Sequence, residues 1–477
     1  MANVNLTIDG RQITAPAGTT ILAAAKANDI YIPTLCFLEK LEPRASCRMC
    51  VVEVEGARTF QHACAAKVRE GMVVRTNTEA VRASRKLTLQ LLLSNHSVDC
   101  HHCLRIGSSK CGDLDPRFCE WCFFCDCVKD GFCELQALAR EYEVDKLPFE
   151  QKHNTLPIDQ SSVIVRNPNK CVKCKRCVDV CGNVQTVHNL AAAGRGSDVV
   201  IGPVFGKAMA DSRCVGCGRC VEVCPTGAIH ALEHKDELVF FAHKDGVKTA
   251  AQVDAALLPE LERVGKAVPG SVTMEQVAGA LKKIGVDHVV HADSAAQCAA
   301  AAAEALLDQR LSEGKPLILT NDPAAKKFLQ QEFAALSDRF AFYPSELAIF
   351  GEAAREQFGA DKAFAFTPVG ASAAEAAELD TVDIAVNSRE LWRIMVRTGA
   401  EPHVRRTAAL ETVSGPRPSG KYGRLLERAA WSMDADYEAF TLSADGKELR
   451  CALCRNLGQA RSAISRADAF DVIRVLA

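Results

Sequence analysis

The sequence predicts a multidomain α+β protein, with a front half organised around metal and an alanine-rich rear half folded as α/β layers. Three observations carry that prediction. Of 23 cysteines in 477 residues, twenty precede residue 225. Those twenty recur at the short spacings that metal ligands need. Behind them, apolar strand-like runs (PLILT, VDIAV) alternate with amphipathic helical segments, the pattern of layered α/β structure. A chain of this length accommodates about three or four domains at roughly 100–200 residues each. The divisions read from composition and spacing are 1–78, 79–150, 151–232 and 233–477.

Other classes are disfavoured. The N-terminus MANVNLTIDGRQITAPAG lacks the charged region and apolar run of a secretory signal. No uninterrupted apolar run approaches the ~18 residues that span a bilayer. The expectation is a soluble cytoplasmic protein without a membrane span, where thiols stay reduced and clustered cysteines point to metal or redox chemistry rather than disulfides. A net charge of -2 without a basic block argues against nucleic acid as a partner.

The first segment, VNLTIDGRQITAPAGTTILAAAKANDI, reads as two short strands around Asp9-Gly10 and a helix beginning near Thr19 or Thr20, a ubiquitin-like, β-grasp start. Cys36, Cys47, Cys50 and Cys64 follow as C-x10-C-x2-C-x13-C. Four thiolates suffice for one [2Fe–2S] cluster, and the Cys47/Cys50 pair can grip one iron from a single loop. A structural zinc site is the rival, since it would use the same thiolates.

A helix from about Thr78 to Leu93, opened by a capping box from Thr76 to Glu79, leads into the densest stretch of the chain. His96, Cys100, Cys103 and Cys133 make one four-ligand set for a [4Fe–4S] cluster. Neutral imidazole in place of thiolate removes negative charge and tends to raise the potential. His101 and His102 read as surface residues. Cys111, Cys119, Cys122, Cys125 and Cys127 lie in between, so the segment has nine candidate ligands for two sites. One partition gives Cys111, Cys119, Cys122 and Cys125 a second site, a further [4Fe–4S] cluster or zinc. The other moves Cys127 into the first site in place of Cys103.

Cys171, Cys174, Cys177 and Cys181 form C-x2-C-x2-C-x3-C, and Cys214, Cys217, Cys220 and Cys224 repeat it before Pro225. This doubled run is that of bacterial two-cluster ferredoxins, in which the fourth cysteine of each motif ligates the other motif's cluster. One cluster is therefore expected on Cys171, Cys174, Cys177 and Cys224, the other on Cys214, Cys217, Cys220 and Cys181. The first motif has Gly182 where proline is usual. Lys170, Lys173, Lys175 and Arg176, interleaved with the ligands, read as a solvated face, with ferredoxin docking or potential tuning as the functional alternative.

These three segments, the second ending in CELQ and the third reading NPNKCVKCKRCVDVC…VQ, together resemble the N-terminal half of the large subunit of multimeric [FeFe] hydrogenases. The same arrangement occurs in the largest peripheral-arm iron–sulfur subunit of respiratory complex I. The cysteines from Cys111 to Cys127 are not part of that pattern. In the rear half VTMEQVAGALKKIGVDHVVHADSAA, FYPSELAIFGE, DIAVNSRELWRIMVRTGAEP, SGKYGRLLERAAW and LRCALCRNLGQARSAI resemble eroded pieces of the [FeFe]-hydrogenase catalytic domain. That family's Thr-Ser-Cys-Cys-Pro signature stands here as Thr320-Asn321-Asp322-Pro323, and its Met-Pro-Cys as Thr367-Pro368-Val369. Its last two cysteines follow a final strand, and this sequence ends at AFDVIRVLA. The resemblance therefore implies a degenerate domain without the catalytic H-cluster. Cys298, Cys451 and Cys454 read as small buried hydrophobes.

The function so implied is non-catalytic: an electron-wiring subunit of a flavin-based, electron-bifurcating oxidoreductase. Its expected partners are an NADH- and FMN-binding flavoprotein, a small thioredoxin-like [2Fe–2S] subunit, soluble ferredoxin, and a separate catalytic subunit. A [NiFe] hydrogenase is the first expectation for that catalytic subunit and a formate dehydrogenase the second. A non-enzymatic iron–sulfur sensor or assembly factor is the reading of a different class. The expected cofactors are one [2Fe–2S], three [4Fe–4S] and the further [4Fe–4S] or zinc of the insert.

Overall fold

The computed structural model describes residues 2–96, 128–129, 133–144, 146–149, 156–265, 267–314, 316–367, 375–376, 378–400 and 407–477. Cys100, Cys103, Cys111, Cys119, Cys122, Cys125 and Cys127 lie outside them, as do His101 and His102. Strands β1 (Asn3–Ile8) and β2 (Arg11–Pro16) pair across Asp9-Gly10, where both residues take positive φ as a tight hairpin turn requires. With β3 (Val51–Val54), β4 (Gln61–His62) and β5 (Met72–Arg75) they form a sheet ordered β2-β1-β5-β3-β4, in which β1 and β5 run parallel. The helix Ile21–Lys26 begins where expected, capped by the Thr20 hydroxyl accepting from Ala23 N at 3.1 Å. The apolar inner positions Leu6, Ile8, Ile13, Ile21 and Val74 close the core beneath it.

The helix Glu79–Ser94 begins one residue from the expected place, but its cap differs. Thr78 accepts from Val81 N, while Thr76 turns back to hydrogen-bond the Asp9 carboxylate with both its amide and its hydroxyl. An Asp across the β1–β2 turn outcompetes the helix for that threonine, so the anticipated capping box does not form. Arg85 of this helix is buried, donating to Val51 O at 2.6 Å and Tyr142 Oη at 2.9 Å. It thereby ties the first sheet to the helix Glu134–Glu141 that follows Cys133.

The doubled cysteine motif lies between β6 (Ile164–Arg166) and β9 (Ile229–Ala231), which pair antiparallel, with the hairpin β7 (Leu190–Ala193)–β8 (Val200–Pro203) inserted between its halves. Each half carries a one-turn helix, Arg176–Asp179 and Arg219–Glu222. Gly182, in the π-helical turn after the first, sits where a Cβ would approach His188 Nδ1 to 3.1 Å.

The rear half is an α/β structure with two sheets. Its strands are β10 (Thr249–Val253), β11 (His288–His291), β12 (Leu317–Thr320), β13 (Phe340–Phe342), β14 (Lys362–Thr367), β15 (Ile384–Asn387), β16 (Glu438–Ala444), β17 (Lys447–Cys454) and β18 (Val472–Val475). One sheet is ordered β11-β10-β14-β15 and is wholly parallel; the other is β13-β12-β18-β17-β16, parallel apart from its edge strand β16. The expected strands PLILT and VDIAV are β12 and β15, each buried as a parallel strand covered on both faces must be. Cys298, Cys451 and Cys454 are buried core residues as anticipated. Among the described residues no helix is long and apolar enough to cross a membrane.

Candidate metal centres and the cavity behind them

Cys36, Cys47, Cys50 and Cys64 are all buried, and their thiols interact in pairs. Hydrogen bonding from Cys47 pulls the Cys36 thiol down to about 5, and Cys64 pulls Cys50 down to about 7, with the Cys50 and Cys64 sulfurs 3.4 Å apart. Cys47 and Cys64 are pushed up by the same bonds and by burial. The loop that delivers them turns through left-handed Ala45 and Arg48.

The doubled motif brings Cys224 of the second half to the first three thiols of the first half. Cys171, Cys174, Cys177 and Cys224 line one pocket together with Ile201, Ile229 and Pro225. Cys214, Cys217 and Cys220 each feel the charge of Cys181, as does Cys177 of its own motif. Burial pushes the Cys171 thiol up to about 11 and Cys174 and Cys217 to about 12. Thiols this desolvated resist ionising alone, and iron supplies the positive charge that makes thiolates favourable. The turn between the first two thiols donates to sulfur in each half, Lys173 N to Cys171 Sγ and Gly216 N to Cys214 Sγ, both at 3.4 Å. That turn needs left-handed backbone, supplied by Gly216 and Gly218 in the second half and by Lys173 and Lys175 in the first. A lysine held there costs about 1–2 kcal/mol, so strain is stored beside the thiols. No three described His, Cys, Asp or Glu side chains converge on a point as they would around a single metal ion.

His96 and Cys133 are the described members of the histidine set. His96 is only 6% exposed, and among the described residues its Nδ1 has no hydrogen-bond partner. A buried ring nitrogen without a partner fits a metal ligand better than the surface residue a lone histidine usually is. The remaining members, and the whole insert from Cys111 to Cys127, lie outside the described residues. One hydrophobic cluster contains Cys36, Cys47, Cys133 and Cys174 with Leu89, Leu93, Leu135 and Leu138. Thiols from three of the expected ligand sets are thus packed into one apolar unit, while Cys177, Cys220 and Cys224 share the next.

The reading of Lys170, Lys173, Lys175 and Arg176 as a solvated face requires correction. Lys170, Lys173 and Lys175 are half-buried, and Lys173 Nζ bonds Ser197 O. Arg176 is 6% exposed and meets Glu134 at 2.6 Å. Glu134 directly follows Cys133, and its amide donates to Pro225 O at 3.0 Å. Nearby, Arg44 of the first domain pairs with the buried Asp179. Sequence reasoning missed both pairs; the signal available for the first was that Glu134 and Arg176 each stand next to a cysteine.

Beyond Cys217 lies the rear half. Asp322, at the position where the resemblance places a cysteine, caps the helix Pro323–Glu332 by accepting from Ala324 N (2.8 Å) and Ala325 N (3.0 Å). Its second oxygen accepts from Ala477 N at 3.1 Å. Cys217, Arg219, Asp322 and Glu375 line a cavity of about 90 Å³. Asp322 and Glu375 also border a second cavity of about 480 Å³ with Gln252, Ser345, Arg428 and Arg474. Burial and the Asp322 charge push the Glu375 carboxyl up to about 8. Val369 lies outside the described residues. Oxygen now lines the wall where sulfur would be needed to hold iron, and carboxylates suit hard cations better than an iron–sulfur cluster.

Comparison with known proteins agrees with this layout. Residues 1–79 match the 2Fe-2S iron-sulfur cluster binding domain, 170–228 the 4Fe-4S dicluster domain, and 247–470 the C-terminal domain of the iron only hydrogenase large subunit. Over 378 residues the chain is 34% identical to the NADP-reducing hydrogenase subunit HndD of Solidesulfovibrio fructosivorans, covering 75% of this chain and 60% of that protein. The chain is a homologue of hydrogenase and complex I iron–sulfur subunits. Its front part is 37% identical over 201 residues to an NADH-quinone oxidoreductase subunit of Rhizobium meliloti, covering 42% of this chain and 21% of that protein. It therefore spans less than two thirds of the length of these relatives. Among solved structures, an NAD+-reducing [NiFe]-hydrogenase chain aligns at 27% identity with a TM-score of 0.41, over 48% of this chain and 87% of that one. An [FeFe]-hydrogenase structure aligns at 16% identity with a TM-score of 0.43, over 52% and 82%.

Proposed function

We propose that this homologue is the electron-wiring subunit of a flavin-linked, NAD(P)-dependent oxidoreductase complex, with its own hydrogenase-like domain retired from catalysis. The observation that carries the reading is the packing of Cys36, Cys47, Cys133 and Cys174 into one apolar cluster, continued through Cys177, Cys220 and Cys224 towards Cys217 and the rear half. In this reading Cys36, Cys47, Cys50 and Cys64 hold [2Fe–2S]. His96, Cys100, Cys103 and Cys133 hold one [4Fe–4S], and the crossed sets of the doubled motif hold two more. Cys111, Cys119, Cys122 and Cys125 hold a further [4Fe–4S] or zinc. When bound, the clusters supply one-electron carriers; the chain's residues space them, exclude water and set their potentials. Asp322 in place of a cysteine removes a ligand that the catalytic cluster needs, so a separate subunit, a [NiFe] hydrogenase in the first instance, performs the terminal chemistry. Electron bifurcation with ferredoxin fits a chain with this many carriers.

The test is purification of the complex from cells through a tag on this chain. The reading expects an NADH-reducible flavoprotein and a catalytic subunit, with about eighteen irons on this chain. About fourteen irons with one zinc would reassign the insert alone. A chain that purifies with iron-free client proteins and no flavoprotein would instead be an assembly factor.

A further inference from the structure

Two arginines occupy the same place in the two halves of the doubled motif, Arg176 in CKRC and Arg219 in CGRC. Each opens a one-turn helix, and each is withdrawn from water. Their surroundings differ completely. Arg219 pairs with Glu222 at 2.5 Å, stacks over Trp431 at 4.8 Å and donates to Ala477 O, which lines the small rear cavity with it. Arg176 faces the other way. Its guanidinium bonds Glu134, the residue after Cys133, and lies within reach of the charges of both Cys174 and Cys36. Burial alone lowers its pKa, yet Glu134 and those thiols hold it above its usual value. Arginine is seldom this buried unless paired, and it stays charged at any working pH. Its Nε has no hydrogen-bond partner among the described residues.

We propose that Arg176 is a shared electrostatic positioning residue for three iron–sulfur centres, those of Cys36, of Cys133 and of Cys174, whose potentials it raises together. The inference rests on the ligand sets proposed above. A fixed positive charge in a poorly screened interior favours the reduced, more negative state of each cluster within its range. One residue then keeps three neighbouring carriers in step, so an electron entering from any of them finds the others comparably ready to accept it. Glu134 moderates the effect: as the counter-charge next to Cys133 it offsets part of the arginine's pull on that centre. Arg219, by contrast, acts on its own motif's cluster at the rear end.

The experiment is potentiometric titration of the full chain, with each cluster followed by electron paramagnetic resonance, in wild type, Arg176→Gln, Arg176→Lys, Glu134→Gln and Arg219→Gln. Wild-type iron content and signals test the ligand sets by themselves. Given those, Arg176→Gln should lower the reduced-to-oxidised ratio about tenfold at fixed potential, about 59 mV for a one-electron couple, in at least two of the three front centres. Arg176→Lys should restore most of it, and Glu134→Gln should shift the same centres upward. Arg219→Gln should move only the cluster of Cys214, Cys217, Cys220 and Cys181. A shift confined to the Cys174 cluster, or an Arg176→Lys variant as displaced as Arg176→Gln, would overturn the proposal. If Arg176→Gln loses its clusters, Glu134→Gln decides alone: no shift in the centres of Cys133 and Cys174 rejects it.

Discussion

The doubled motif and the wall it faces across the small cavity are built from opposite donor chemistry. On one side, Cys217 stands in a loop whose left-handed turns, buried thiols and N–H to sulfur bonds all suit a cluster. On the other, Asp322 holds three backbone amides and abuts Glu375, whose carboxyl is pushed towards neutrality. The two sides are closely packed: Val187, Val215, Cys181 and Cys217 join one apolar cluster with Phe328, Leu457 and Val475 of the rear half. The apolar contact thus surrounds a wall on which Asp322 stands where the resemblance places a cysteine. The contact is hydrophobic, so it does not depend on a thiol at that wall.

The sharpest break of this contrast comes from the thiols. Cys181→Ser should remove or alter the cluster of the other motif, Cys214, Cys217 and Cys220, rather than that of its own, with a loss of about four irons. Iron analysis with spectra assigned motif by motif checks this; damage to the Cys171, Cys174 and Cys177 signal alone would mean uncrossed ligation. The same readout applies to His96. His96→Ala should lose about four irons, whereas His96→Cys should retain them at a lower potential because thiolate adds negative charge. Unchanged spectra in both variants would return His96 to the ordinary core.

Smaller effects probe the packing. Leu457 is fully buried where the rear half meets the motif, and Gln185 accepts from its amide at 2.8 Å. Leu457→Ala should cost about 2–5 kcal/mol, read as a lower midpoint in thermal or denaturant unfolding. If the rear half merely rests on the front, Leu457→Ala should leave the potential of the Cys217 cluster unmoved while stability falls. The least effect concerns pH. Glu375 binds its proton more tightly when folded, from an ordinary 4.5 to about 8, so the folded state carries more protons than the unfolded between those values. Stability contributed by this group is therefore full below about pH 4.5 and declines as pH rises through about 8. Glu375→Gln should flatten that decline, which melting temperatures across roughly pH 5–9 would reveal.

Much of the architecture could be read from residues alone, because ligand spacing and hydrophobic period are local properties. The C-x2-C-x2-C-x3-C repeat announced two centres, Asp9-Gly10 announced the first hairpin, and PLILT and VDIAV announced buried parallel strands. The Thr76 cap failed because its competitor, Asp9, lies 67 residues away across a sheet. The histidine set remains an expectation of the sequence: His96 and Cys133 are buried, while Cys100 and Cys103 lie outside the described residues.

The sequence by itself determined which residues offer a thiol or imidazole at metal-ligand spacing, since a thiol or its replacement is a matter of identity at a position. Only the tertiary structure decided where the charges beside them go. Arg176 and Arg219 are indistinguishable as residues in a repeated motif, yet folding sends one to Glu134 and the other to Glu222 and Trp431. A buried charge takes its meaning from its dielectric surroundings and its partners, and both are assembled from segments far apart in the chain.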